Sequence, residues 1–187
     1  KDAGNLALYI AAPSSMTAIL LGMAIGGLAM TTTRAVVIVA AGWLLFDVPF
    51  SLSYWALLIL TFVLTMAAVY GLGMLFASLF LLFGREAWHM SNLLQEPIYL
   101  ASGFYFPVKA LGFWVAAAAS IIPLTLGLDA MRQLLFPNNP TFGFLSVQVE
   151  VWALVILAVL FIGASKFALD YMEKLAMREG RLTERRR

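Results

Sequence analysis

The chain has 187 residues, of which 63% are hydrophobic and 12% charged, with a net charge of +2 and a mean hydropathy of +0.92. Soluble domains carry about a quarter charged residues, so this composition excludes a water-facing surface and points to a polytopic membrane protein. The absence of cysteine excludes a disulfide framework or a cysteine metal site.

The first segment, "AGNLALYIAAPSS", offers Leu6, Leu8, Tyr9 and Ile10 for a short apolar helix of about eight residues. Pro13 ends it, because the residue before a proline avoids helical dihedrals. Ser14 or Ser15 can cap the next helix. A span needs about 20 mostly apolar residues, so the first helix is too short to cross and is free to dock on a soluble partner.

Four runs are long enough to span. They are residues 17–46, 55–83, 87–106 and 147–169. Asp47 and Pro49 should stop the first, "GRE" at 84–86 is a tight charged turn, and "PNNPTFG" at 137–143 is turn-rich. The third run carries Asn92, Gln95, Glu96 and Pro97 in its first half.

Residues 107–136 pose the main question of topology. "ALGFWVAAAA" followed by "SIIPLTLGLDAMRQLLF" is apolar enough for another span. Yet Pro123 breaks it, Gly127 loosens it, and Asp129 and Arg132 bring in opposite charges. Two pieces of roughly a dozen residues would each be about 16 to 20 Å long, short of a ~30 Å core. If the region does not cross, Lys1, Arg85, Lys166, Lys174, Arg178, Arg181, Arg185, Arg186 and Arg187 share one side, against Lys109 and Arg132 on the other. Basic residues stay in the cytoplasm. The expectation is therefore a re-entrant segment that enters from the outer face, with Asp129 and Arg132 near the outer headgroups and the tail inside.

The order of these features resembles the membrane subunit of type-2 ABC exporters. The matching residues are Pro97, Ser102, Gly103, Phe106 and Pro107, then Pro123, Leu124, Thr125, Asp129 and Arg132. "GNLALYIAAPSSMTAILLG" is similar to the family's cytoplasmic coupling helix and the start of its third span. The resemblance implies an all-α helix bundle of six spans. Four are present, so the first two are expected to be missing from a chain that begins at Lys1.

Residues 1–170 would form the transmembrane domain and 171–187 a basic cytoplasmic tail. The resemblance also assigns ATPase coupling to Leu6, Leu8, Tyr9, Ile10 and Pro13, and an outer re-entrant hairpin to Pro107, Pro123, Asp129 and Arg132. Ala7 stands where the family often has Glu.

No Gly-rich phosphate loop is present. The resemblance therefore implies no cofactor and no ATPase site in this chain: ATP and Mg would be bound by an ABC ATPase partner. A second permease copy or paralogue would complete the pathway. The cargo would be hydrophobic or amphiphilic (a drug, an antibiotic or a lipid-linked glycan), exported across the plasma membrane. Nucleic acid is not expected, because the basic tail has no aromatic or Gly-rich reading surface beside it.

A secondary transporter or channel is the alternative. It predicts inverted repeats and several intramembrane charges, whereas no repeat is seen and only Arg34 and Glu96 fall near the centres of spans. Each such charge costs about 2.5 to 3.5 kcal/mol on insertion scales. An Arg34–Glu96 pair, a substrate contact, and an Arg34 that snorkels inward all stay open. His89 reads as an interfacial polar residue, and Gly22, Gly26, Gly27, Gly71, Gly73 and Ala77 read as packing positions.

Overall fold

The computed structural model describes residues 16–51, 53–83, 96–138 and 143–178, and it is all helix and turn over those residues. It divides into two compact units, 1–48 and 49–187. The coupling-helix residues Leu6, Leu8, Tyr9, Ile10 and Pro13 lie outside the described residues, as do Arg85 and His89.

The described part of the first unit is a single helix, α1, Met16–Phe46. Its Gly22–Phe46 stretch is apolar and long enough to cross a membrane. Three consecutive threonines would be costly in lipid with free hydroxyls. Each one donates instead to the carbonyl four residues back: Thr31 to Gly27, Thr32 to Leu28 and Thr33 to Ala29, at 2.8 to 2.9 Å. Arg34 follows them and is exposed. The helix stops as expected at Asp47, which takes a φ of 49°, while Val48 N–H reaches back to Gly42 O at 3.1 Å.

The second unit holds α2 (Trp55–Phe83), α3 (Phe113–Ala119), α4 (Pro123–Leu135) and α5 (Val147–Arg178). A helix seen over 96–101 precedes a 3-10 turn, Val108–Leu111. The expected third span was to reach residue 106, but the helix ends at 101. Gly103 takes a φ of 75° there, and Phe104 N–H closes on Tyr99 O at 3.2 Å, a Schellman-type end.

α2 packs most extensively on α5. Small residues make this close approach possible: Thr61, Thr65, Ala68 and Gly71 on α2 and Ala158 and Ser165 on α5 are all buried. A Cβ on Gly71 would lie 2.9 Å from Ile162 N. Gly22, Gly26 and Gly73 have no such neighbour. The buried hydroxyls satisfy themselves on their own helices, Thr61 on Leu57 O at 2.8 Å, Thr65 on Thr61 O at 2.7 Å and Ser165 on Ile162 O at 2.8 Å.

α3 and α4 meet at a bend of 112°. Pro123 sits at the first turn of α4, where its missing N–H costs nothing, after an extended Ile122. α4 ends level with the start of α2, since Ser51 N–H donates to Leu135 O at 2.9 Å. Eight residues earlier in α4, Gly127 lies against Thr65, ten residues into α2 and so about 15 Å deep.

The chain enters this hairpin at Gly103 and leaves it at Phe144, and both ends are held by the last turns of α4. Entry and exit thus fall at the same end of the bundle, where α2 and α5 both begin. The segment is a re-entrant hairpin, not a span. A small core of Val108, Ala116 and Ala119, with Ala101, Leu111 and Phe144 against it, holds α3 in place.

Candidate functional site in the re-entrant hairpin

The last two turns of α4 carry the polar residues of the hairpin. Arg132 donates through Nη2 to the carbonyls of Gly103 and Phe104, just past the end of the preceding helix. Those carbonyls have run out of helical N–H partners, and a guanidinium bonds them more strongly than a neutral donor would. Gly103 is also tightly enclosed: a Cβ there would lie 3.1 Å from both Phe106 O and Val108 N.

Asp129, expected at the level of the outer headgroups, turns into the protein and is 1% exposed. Its Oδ2 accepts from Phe144 N–H at 2.7 Å, tying α4 to the approach to α5. Gln133, one turn on, donates through Nε2 to Leu145 O at 2.8 Å, to Glu150 Oε2 at 3.1 Å and to Asp129 Oδ2 at 3.3 Å. Glu150 is fully buried. The hairpin is thus joined at three points: by Arg132 to the preceding helix, by Asp129 and Gln133 to the start of α5, and by Gly127 to α2. A cavity of about 750 Å³ opens beside the second of these, lined in part by Tyr54, Gln133, Phe144 and Leu145.

The other site residues are dispersed. Pro107 precedes the 3-10 turn, and Pro123 is buried at the bend. Glu96 is exposed, and its Oε2 accepts from Tyr105 O–H at 3.1 Å. That hydrogen bond raises the pKa of Tyr105 from its ordinary value. Phe104 stacks on Tyr99 at 5.0 Å and meets Tyr105 edge-on at 5.3 Å. Glu96 lies little more than a turn from the helix end at 101, so it is closer to the hairpin level than to mid-span.

Gln133, Glu150 and Thr65 are the parts of the site to which the sequence alone assigned no role. One signal was present. Thr125, Asp129 and Gln133 recur every four residues on one face of α4, and Glu150 is an acid at the start of an apolar run.

Neither the curated proteins nor the solved structures compared with this chain give a match. The family model described as ABC-2 type transporter matches residues 1–136. That range takes in α1, α2 and the whole hairpin through the end of α4. Apart from the earlier end of the third helix, the expected order of long spans followed by a re-entrant hairpin is also the order of the structure over the described residues. The chain therefore belongs to the ABC-2 type transporter family, as a multi-pass membrane permease that relies on an ABC ATPase partner.

Proposed function

We propose that this permease is an export subunit of the plasma membrane, paired with a second copy or a paralogue and driven by two ATPase subunits. Its cargo would be hydrophobic or amphiphilic. The observation that carries the reading is the hairpin that enters and leaves at one end of the bundle, about 15 Å deep against α2. A wedge of that kind closes the outer end of a pathway and leaves the cytoplasmic end to the ATPase. ATP and Mg bind in the partner. This chain performs no bond chemistry; it converts closure of the ATPase pair into a switch of the cavity from inward- to outward-facing.

The segment from Leu6 to Ala12 would receive that motion. Leu8→Asp with Tyr9→Asp, in the permease reconstituted with its ATPase, should separate ATP hydrolysis from transport while membrane insertion stays normal. Transport at the wild-type rate would reduce the segment to an interfacial anchor.

The sidedness has its own test. Asn138→Cys should react with an impermeant thiol reagent from outside only, and Thr183→Cys from inside only. These 187 residues contain no cysteine, so none of them adds background labelling. Labelling of both positions from one face would overturn the topology.

A further inference from the structure

Asp129 and Glu150 leave a hydrogen-bond deficit that no group among the described residues fills. Five acceptor oxygens gather here: two on each carboxyl, and Leu145 O. Phe144 N–H and the two hydrogens on Gln133 Nε2 serve them, and the Leu145 backbone also donates toward Glu150. Asp129 Oδ1 and Glu150 Oε1 are buried and have no partner. Gln133 Nε2 lies 3.3 Å from Asp129 Oδ2 and 3.1 Å from Glu150 Oε2, which sets the two carboxyls side by side. Two ionised carboxylates that close, both buried, would repel each other, and each would keep one oxygen without a donor.

We infer that Asp129 and Glu150 form a proton-binding site, in which one proton is held between the two carboxyls and joins the hairpin to α5. With that proton one carboxyl becomes a donor to the other, and the pair carries a single charge. The surrounding groups fit this occupant. On α4, Arg132 donates to the Gly103 and Phe104 carbonyls while its charge also acts on Asp129, which favours a single ionised carboxyl in the pair, and Thr125 has a buried hydroxyl without a partner among the described residues. On α5 the next charge is Lys166, more than four turns away, and α2 contains no charged residue.

A metal ion fits less well. Gln133 must turn its N–H end this way, because the same nitrogen bonds Leu145 O, which can only accept. Donors therefore line the pair where a cation would want oxygen. The cavity lined by Gln133, Phe144 and Leu145 gives the proton a path to solvent. Losing the proton would place two like charges between α4 and α5, so this is the contact at which the hairpin would release. The inference does not depend on the direction of transport.

Infrared difference spectroscopy on the full permease in lipid nanodiscs, at neutral pH, tests it directly. The wild type should show the C=O stretch of a buried, protonated carboxylic acid that shifts in deuterium oxide. Glu150→Gln and Asp129→Asn should each abolish that band, since the new amide brings its own hydrogens and the remaining acid can ionise. Glu150→Gln should also keep the wild-type melting temperature, because an amide meets the same deficit.

Absence of the band from the wild type, or its survival in Glu150→Gln, would overturn the proposal. So would a melting temperature that rises with sodium in a protein without the band, which would mark a cation site instead. If Asp129→Asn does not fold, the wild-type and Glu150→Gln spectra decide the matter alone.

Discussion

Gly127→Ala should destabilise this protein, although alanine is the better helix former by about 1 kcal/mol. Gly127 is interior to α4, so on propensity alone the substitution should help. The packing reverses the sign. A Cβ on Gly127 would overlap Oγ1 and Cγ2 of Thr65 and would lie 2.8 Å from its Cβ. Thr65 cannot easily move aside: it is fully buried, and its hydroxyl is held on Thr61 O at 2.7 Å. Either that bond breaks or α4 lifts from α2.

Overpacking of this kind costs about 1 to 3 kcal/mol, and Gly127→Val should cost more. The damage would spread, because a lifted α4 also takes Asp129 and Gln133 away from Phe144 and Glu150. Thermal unfolding in detergent would measure it. In the Gly127→Ala background, Thr65→Ala should restore part of the loss by removing Oγ1 and Cγ2, while the two Cβ atoms stay too close. Strictly additive losses in that cycle would show that the two residues are not in contact.

This glycine shows how far the sequence could be read. Its place between Pro123 and Asp129 marks it as loosening an apolar run, which is the opposite of its role as the tightest point of the hairpin. Hydropathy reports what a segment can be buried in, and so it located α1, α2 and the apolar part of α5 to within a residue or two. It does not report a backbone turn among apolar residues. Hence the third span was extended to Phe106, across Gly103, whose positive φ had already ended the helix.

The re-entrant hairpin was legible because two independent signals agreed: the break at Pro123 and the one-sided distribution of basic residues. The direction of Asp129 was not legible. Its partners Phe144 and Glu150 lie 15 and 21 residues downstream and become neighbours only when α4 folds back onto the start of α5. The small-residue patterns behaved likewise. Gly71 meets Ile162 while Gly73 meets nothing, and only the position of a second helix distinguishes them. The coupling helix expected over Leu6, Leu8, Tyr9 and Ile10 lies outside the described residues and rests on the resemblance alone.

Arg132→Met should release the hairpin from the helix that precedes it. Arg132 is half-buried, and it donates to two carbonyls that the helix end leaves without partners. A hydrogen bond to a charged group contributes about 1.5 to 3 kcal/mol. The two bonds are not equal. Phe104 is exposed, so its carbonyl can find another donor at an interface, whereas Gly103 is buried and its carbonyl cannot. The expected loss is therefore close to that of one charge-assisted bond.

Methionine keeps much of the stem that packs on the hairpin and removes only the donors, so the loss reports the bonds and not a cavity. Arg132→Lys should lie between Met and wild type, because a single ammonium on a shorter reach cannot serve both carbonyls in one plane. Hydrogen exchange gives the local readout: amides from Phe104 to Val108 should lose protection in Arg132→Met, while those of α2 facing α5 keep theirs. Equal protection across 104–108 in wild type and variant would mean that the Gly103 turn holds itself. In that case the closure of the hairpin would rest on Asp129, Gln133 and Glu150 alone.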